Sequence, residues 1–127
     1  MRDVVCPFCD LPDSRVVLAN DLAFVLRDAY PVSPGHTLVI PRRHVASYAD
    51  VKPAEREAMF ALLDLARHEL AATFAVDGFN IGINDGRAAG QTVMHVHMHL
   101  IPRFVGDVAD PRGGVRWVIP AKARYWD

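Results

Sequence analysis

Cysteine is nearly absent from this 127-residue sequence, which has only Cys6 and Cys9. Two cysteines exclude a disulfide framework, and a chain of this length buries roughly two thirds of its unfolded surface without one. No apolar run approaches the roughly 18 residues of a membrane span. The opening Met1-Arg2-Asp3-Val4-Val5-Cys6 lacks the apolar stretch of a secretion signal, so a cytoplasmic protein without membrane contact is expected. An excess of one charge sign is missing too: 14 Lys plus Arg stand against 15 Asp plus Glu, a net charge of -1. Recruitment of nucleic acid by a global positive field is thereby excluded, and any anion must be bound locally. With no internal repeats and 51% apolar residues, one globular domain over residues 1–127 is expected.

Two β-rich runs, Arg15 to Ala19 and Leu22 to Leu26, are joined by Asn20-Asp21, a two-residue connection of hairpin type. His36 to Ile40 reads as a third strand ending at Pro41. From Pro53 to about Phe74, the residues Met59, Leu62, Leu63, Ala66, Leu70 and Phe74 recur at helical steps. Glu55, Arg56, Glu57, Arg67, His68 and Glu69 fall on the polar side. Phe79 to Asn84 reads as a fourth strand and Thr92 to Pro102 as a fifth, giving an α+β fold: an antiparallel sheet of about five strands with one long amphipathic helix.

The chemistry concentrates in His95-Val96-His97-Met98-His99. Side chains alternate along a strand, so the three histidines share one face while Val96, Met98 and Leu100 point into the core. Such a row suits either a metal or an anion. A metal site of cupin type calls for a carboxylate soon after the histidines, yet none follows before Asp107. The preceding Gly86 and Gly90 favour an anion, because glycines let backbone amides approach a phosphate as a nest. The spacing Cys6-Pro7-Phe8-Cys9 suits zinc, with inert buried thiols or a redox pair as alternatives.

Several segments together resemble the histidine triad (HIT) family of nucleotide hydrolases and transferases. They are Pro34-Gly35-His36-Thr37-Leu38-Val39-Ile40-Pro41 with His44, then Asn84-Asp85-Gly86, Gly90-Gln91-Thr92-Val93, the three histidines and Ile101-Pro102-Arg103. The resemblance covers a core of about residues 6–104, leaving 105–127 as a C-terminal tail. Ile101-Pro102-Arg103 is nearer the dinucleoside polyphosphate hydrolase branch than the phosphoramidase branch.

The resemblance implies that His97 attacks the α-phosphorus of a substrate such as diadenosine tetraphosphate. A covalent nucleotidyl-histidine forms, and its hydrolysis releases a nucleoside monophosphate. The acceptor that holds the other nitrogen of His97 would come from the strand segment of His99. His99, His36 and Thr92 would hold phosphate oxygens, with Asn84, Gly90 and Gln91 lining the phosphate side. Asp28 would bind ribose hydroxyls, and Phe8, Leu26 and Ile40 are candidate walls for a purine. A bacterial zinc-containing type of the family holds zinc at positions equivalent to Cys6, Cys9, His44 and His95; no organic cofactor is implied. Homodimers with one extended sheet are the family habit, and Trp117, Tyr125 and Trp126 either pack on the core or reach the partner's pocket. Purine nucleoside phosphoramidase activity, nucleotidyl transfer and a nucleotide-binding module without turnover are the competing functions.

Overall fold

The computed structural model describes residues 6–127, so Met1 to Val5 and the reading of the extreme N-terminus lie outside the described residues. The strands are β1 (Val16–Ala19), β2 (Ala23–Arg27), β3 (Thr37–Pro41), β4 (Gly78–Ile83) and β5 (Met98–Arg103). They form one antiparallel sheet in the order β1-β2-β3-β5-β4. The long helix α1 (Pro53–Thr73) runs between β3 and β4, and a short α2 (Pro120–Ala123) lies in the tail. The expected α+β class and the single long helix are found, with strand ends shifted by a residue or two. The β1–β2 connection is longer than its hairpin reading by one residue. Asn20 Oδ1 accepts from the amides of Leu22 and Ala23, closing an Asx turn ahead of β2.

Period-two alternation divides the sheet into two faces. Ala23, Val25, Val39, Met98 and Leu100 face α1 and pack with Met59, Leu62, Leu63, Ala66 and Leu70. Phe24, Leu26, Leu38 and Ile40 form a second apolar layer on the opposite face, covered by Phe8 and Leu11 from the N-terminal arm. Pro53 starts α1 without sacrificing a hydrogen bond, and Glu55 Oε1 accepts from the Lys52 amide at the helix start. Glu55 departs from its polar-side reading: it is buried, with Arg43 donating to both its oxygens at 3.0 and 2.8 Å. Gly35, at φ 85°, lets the chain enter β3 against the end of α1. A Cβ there would lie 2.9 Å from Leu70 Cδ2 and 3.2 Å from Phe74 Cε2.

Proline sets where β5 begins. The predicted strand from Thr92 starts only at Met98, which is paired with Val39. Pro41 has no N–H with which to continue the ladder, and its carbonyl is instead the acceptor for His95 Nε2 at 2.8 Å. Val96 N donates to Val45 O at 2.8 Å in place of a ladder bond. The chain stays extended enough that Val96, Met98 and Leu100 remain buried as alternation requires. The tail packs on itself beside β4. Arg116 donates to the carbonyls of Ala123 and Lys122, the Arg112 guanidinium lies over the Trp126 ring, and Gly114 approaches Asn80.

Candidate functional site

The face of the sheet opposite α1 carries a cavity of about 440 Å³. His97 and His99 line it together with His36, Asp28, Asn84, Thr92 and Val93. Phe8, Leu26 and Leu38 supply apolar walls. Ile40 is in the layer beneath and not among the lining residues; Leu38, two residues earlier on the same face, takes the place expected of it. Arg15, Tyr30 and Val32 also border the cavity, positions that no motif in the sequence marks. The expected single row of three histidines is divided: His97 and His99 face the cavity, and His95 is turned toward the cysteines.

His95, His97 and His36 are each oriented by a backbone partner, and His99 by the His36 ring. His97 Nδ1 lies 2.9 Å from the His95 carbonyl, an acceptor only, so the ring proton is on Nδ1 and Nε2 carries the lone pair. The acceptor expected from the His99 segment is thus the carbonyl two residues before His97. The Phe8 ring meets the His97 ring edge to face, with centroids 5.0 Å apart. His36 is buried beside His99, with 2.9 Å between His36 Nε2 and His99 Nδ1, and Asp28 Oδ2 lies 3.5 Å from the same His36 nitrogen. Burial, reinforced by the neighbouring His97 and His36 rings, holds His99 down at about 4 against Asp28, which pulls the other way. Burial also keeps His36 below the ordinary imidazole range. Asp28 sits one residue past β2, where Oδ1 accepts from the Tyr30 amide at 2.8 Å.

The glycine loop departs from its reading as an anion nest. Its amides are spent inside the loop: Gly86 N on Gln91 Oε1 at 2.8 Å, Gly90 N on Arg87 O at 3.0 Å and Gln91 N on Gly86 O at 3.1 Å. Gln91 is only 4% exposed, and its Nε2 donates to Ala46 O and Val93 O. Gly90 and Gln91 therefore shape the loop that presents Thr92 and Val93, and neither lines the cavity. Trp117 does not border this cavity either; with Ile101 and Arg103 it lines a second recess of about 540 Å³ farther along the same face.

Behind the cavity, Cys6, Cys9, His44 and His95 bring one ligand atom each to within 4.8 Å of all the others. The Pro41 carbonyl takes the Nε2–H of His95, and this leaves the Nδ1 lone pair aimed at the sulfurs. His95 Nδ1 is 3.5 Å from Cys6 Sγ and 3.6 Å from Cys9 Sγ, and His44 Nδ1 is 3.3 Å from Cys9 Sγ. A tetrahedral zinc, with ordinary Zn–S and Zn–N lengths, separates sulfur from nitrogen by about 3.5 Å. The donor set and its spacing are compatible with zinc. Burial favours the neutral, ligating form of His95.

The HIT domain profile matches residues 12–106 of the chain. The bis(5'-nucleosyl)-tetraphosphatase (asymmetrical) of Schizosaccharomyces pombe is 38% identical over 97 residues, covering 76% of this chain and 53% of that protein. An adenylylsulfatase of Arabidopsis thaliana is 34% identical over 102 residues, covering 77% of this chain and 52% of its own length. The chain thus spans about half the length of these two named hydrolases. The crystal structure of a zinc-bound histidine triad protein from Mycobacterium smegmatis superposes with a TM-score of 0.71 at 38% identity. That match covers 83% of this chain and 79% of the other. No described helix is long and apolar enough to cross a membrane. The profile match over most of the chain, together with a cavity built on His97 and His99, leads to one conclusion: the chain belongs to the HIT domain family, which includes named hydrolases.

Proposed function

We propose that the chain is a nucleotide hydrolase acting at the α-phosphate of dinucleoside polyphosphates. The observation that carries this reading is the hydrogen bond from His97 Nδ1 to the His95 carbonyl, which leaves Nε2 as a neutral nucleophile directed to the cavity. The Nε2 lone pair forms a bond to the α-phosphorus as the bond to the bridging oxygen breaks, and the remaining nucleoside polyphosphate departs. Water then displaces the imidazole, releasing a nucleoside monophosphate and restoring neutral His97. Thr92, Asn84 and His99 border the space in which phosphate charge develops. Asp28, at the end of the cavity beyond β2, is the acceptor for ribose hydroxyls, and Phe8, Leu26 and Leu38 wall the base. Zinc held by Cys6, Cys9, His44 and His95 is structural, tying the arm that carries Phe8 to the sheet. Two protomers would extend the sheet through one of its outer strands, β1 or β4.

Incubation with diadenosine tetraphosphate or adenosine phosphoramidate, followed by chromatography, tests the reading. Wild type should release AMP, faster from the dinucleotide, and His97→Ala should release none. Faster cleavage of the phosphoramidate moves the chain to the phosphoramidase branch. Binding without cleavage of either compound replaces the hydrolase with a nucleotide-binding module.

A further inference from the structure

We infer that His36 is a positioning residue: the Val32 backbone amide fixes its tautomer, and His36 in turn fixes His99 as an Nε2–H donor at the cavity. The role rests on the hydrolase reading above, but the proton placement does not. Val32 N lies 3.1 Å from His36 Nδ1, and a backbone amide can only donate. His36 Nδ1 must therefore be bare, and the proton of the neutral ring sits on Nε2. That Nε2–H meets His99 Nδ1 at 2.9 Å, so the His99 nitrogen must be the acceptor and the proton of His99 sits on its own Nε2. Val32 amide, His36 and His99 thus form a one-way run of donors that ends on a ring lining the cavity.

The same logic opposes a second proton on either ring. On His36 it would go to Nδ1, against the Val32 N–H; on His99 it would go to Nδ1, against the His36 Nε2–H. The ionisable side chains facing the two rings are Asp28, 3.5 Å from His36, and His97, whose ring centroid is 5.1 Å from that of His99. Burial outweighs the pull of Asp28, consistent with two neutral rings. Both His36 nitrogens are committed, so His36 does not clamp phosphate as a cation. Its contribution passes through His99.

The arrangement also distinguishes two clusters of similar composition. Asp28, His36 and His99 bring three potential ligand atoms together, as the cysteine cluster brings four. To bind a metal through Nε2, His36 would have to carry its proton on Nδ1, facing a donor. His95 is the reverse case, because a carbonyl holds its Nε2–H and frees Nδ1. Backbone polarity thus suits one cluster to a metal and the other to a proton-donor chain.

Two measurements test the proposal. In protein labelled with 15N-histidine, two-bond 1H–15N correlation spectra at pH 7 should show His36 and His99 as neutral Nε2–H tautomers. An imidazolium or an Nδ1–H pattern for His36 overturns the assignment, and this readout needs no turnover. In the kinetic arm, His36→Gln keeps a carbonyl for the Val32 amide and an N–H for His99, so kcat should stay within about threefold of wild type. His36→Leu removes both and should lower kcat by roughly tenfold to a hundredfold with a smaller change in KM. A Gln variant as impaired as the Leu variant, with both folded, means that His36 acts as a cation or acid on the substrate and refutes the positioning role. Wild-type protein without hydrolysis would instead refute the hydrolase reading, leaving the spectra to decide the tautomers.

Discussion

Replacing Gln91 by alanine separates two roles that the sequence leaves together, contact with the substrate and construction of the loop beside it. The side chain makes three hydrogen bonds, accepting from Gly86 N and donating to Ala46 O and Val93 O. Each is worth about 0.5–1.5 kcal/mol net. The partners are not deeply buried, and water can replace part of what is lost, so the expected cost is about 2 kcal/mol. Unfolding entropy of about 2.1 cal/mol/K per residue converts this into a fall in Tm of about 7 °C for a chain of this size. Circular dichroism melting of wild type and Gln91→Ala at fixed buffer and metal content measures it. Because the loop presents Thr92 and Val93, kcat should fall along with Tm. A Tm within 2 °C of wild type combined with a raised KM would refute the reasoning, since Gln91 would then be touching substrate rather than holding Gly86, Ala46 and Val93.

Two further outcomes follow from the same geometry. Purified protein should contain about one zinc per chain by elemental analysis, and Cys6→Ser should lose both the metal and several degrees of Tm; metal-free protein of unchanged stability would remove zinc from the account. Stability should also fall as the pH drops from about 6.5 toward 4, because His36 and His99 are held below the ordinary imidazole range when folded. In that window the unfolded chain binds protons that the folded one resists, so stability rises with pH and is fully present above about 6.5. Denaturant melts of the zinc-loaded protein at pH 5 and pH 7 check the sign, and greater stability at pH 5 contradicts it.

Where the controlling forces are local, the sequence reads directly. The helical recurrence from Met59 to Leu70 marks the face α1 buries, and alternation around His95 to Leu100 marks which residues enter the core. What escaped depended on partners distant along the chain. Glu55 sits at a polar helix position and looks solvated until β3 and its following turn bring Arg43 to both its oxygens. Gly86 and Gly90 have the composition of an anion nest, but whether their amides point outward depends on Gln91, whose side chain and backbone occupy the loop's interior. The start of β5 is not legible from its own residues because its limit is set by Pro41 on a neighbouring strand, 57 residues before Met98. The candidate zinc ligands His44 and His95 are legible only through resemblance, since no spacing rule reaches from Cys6 across most of the chain to His95.

The three clustered histidines show how identical side chains acquire different chemistry from their surroundings. An imidazole has two nitrogens and, when neutral, one proton, so whatever engages one nitrogen decides what the other can do. A carbonyl at Pro41 takes Nε2–H of His95 and leaves Nδ1 free to ligate a metal beside two thiols. A carbonyl at His95 takes Nδ1–H of His97 and leaves the Nε2 lone pair free, as the proposed nucleophile requires. For His99 the partner is a donor, His36, so Nδ1 is occupied as an acceptor and Nε2 remains a donor. The three proposed roles, ligand, nucleophile and donor, thus follow from the polarity of one neighbouring group in each case. A substitution that leaves all three rings in place but reverses that polarity should alter the chemistry more than it alters the fold.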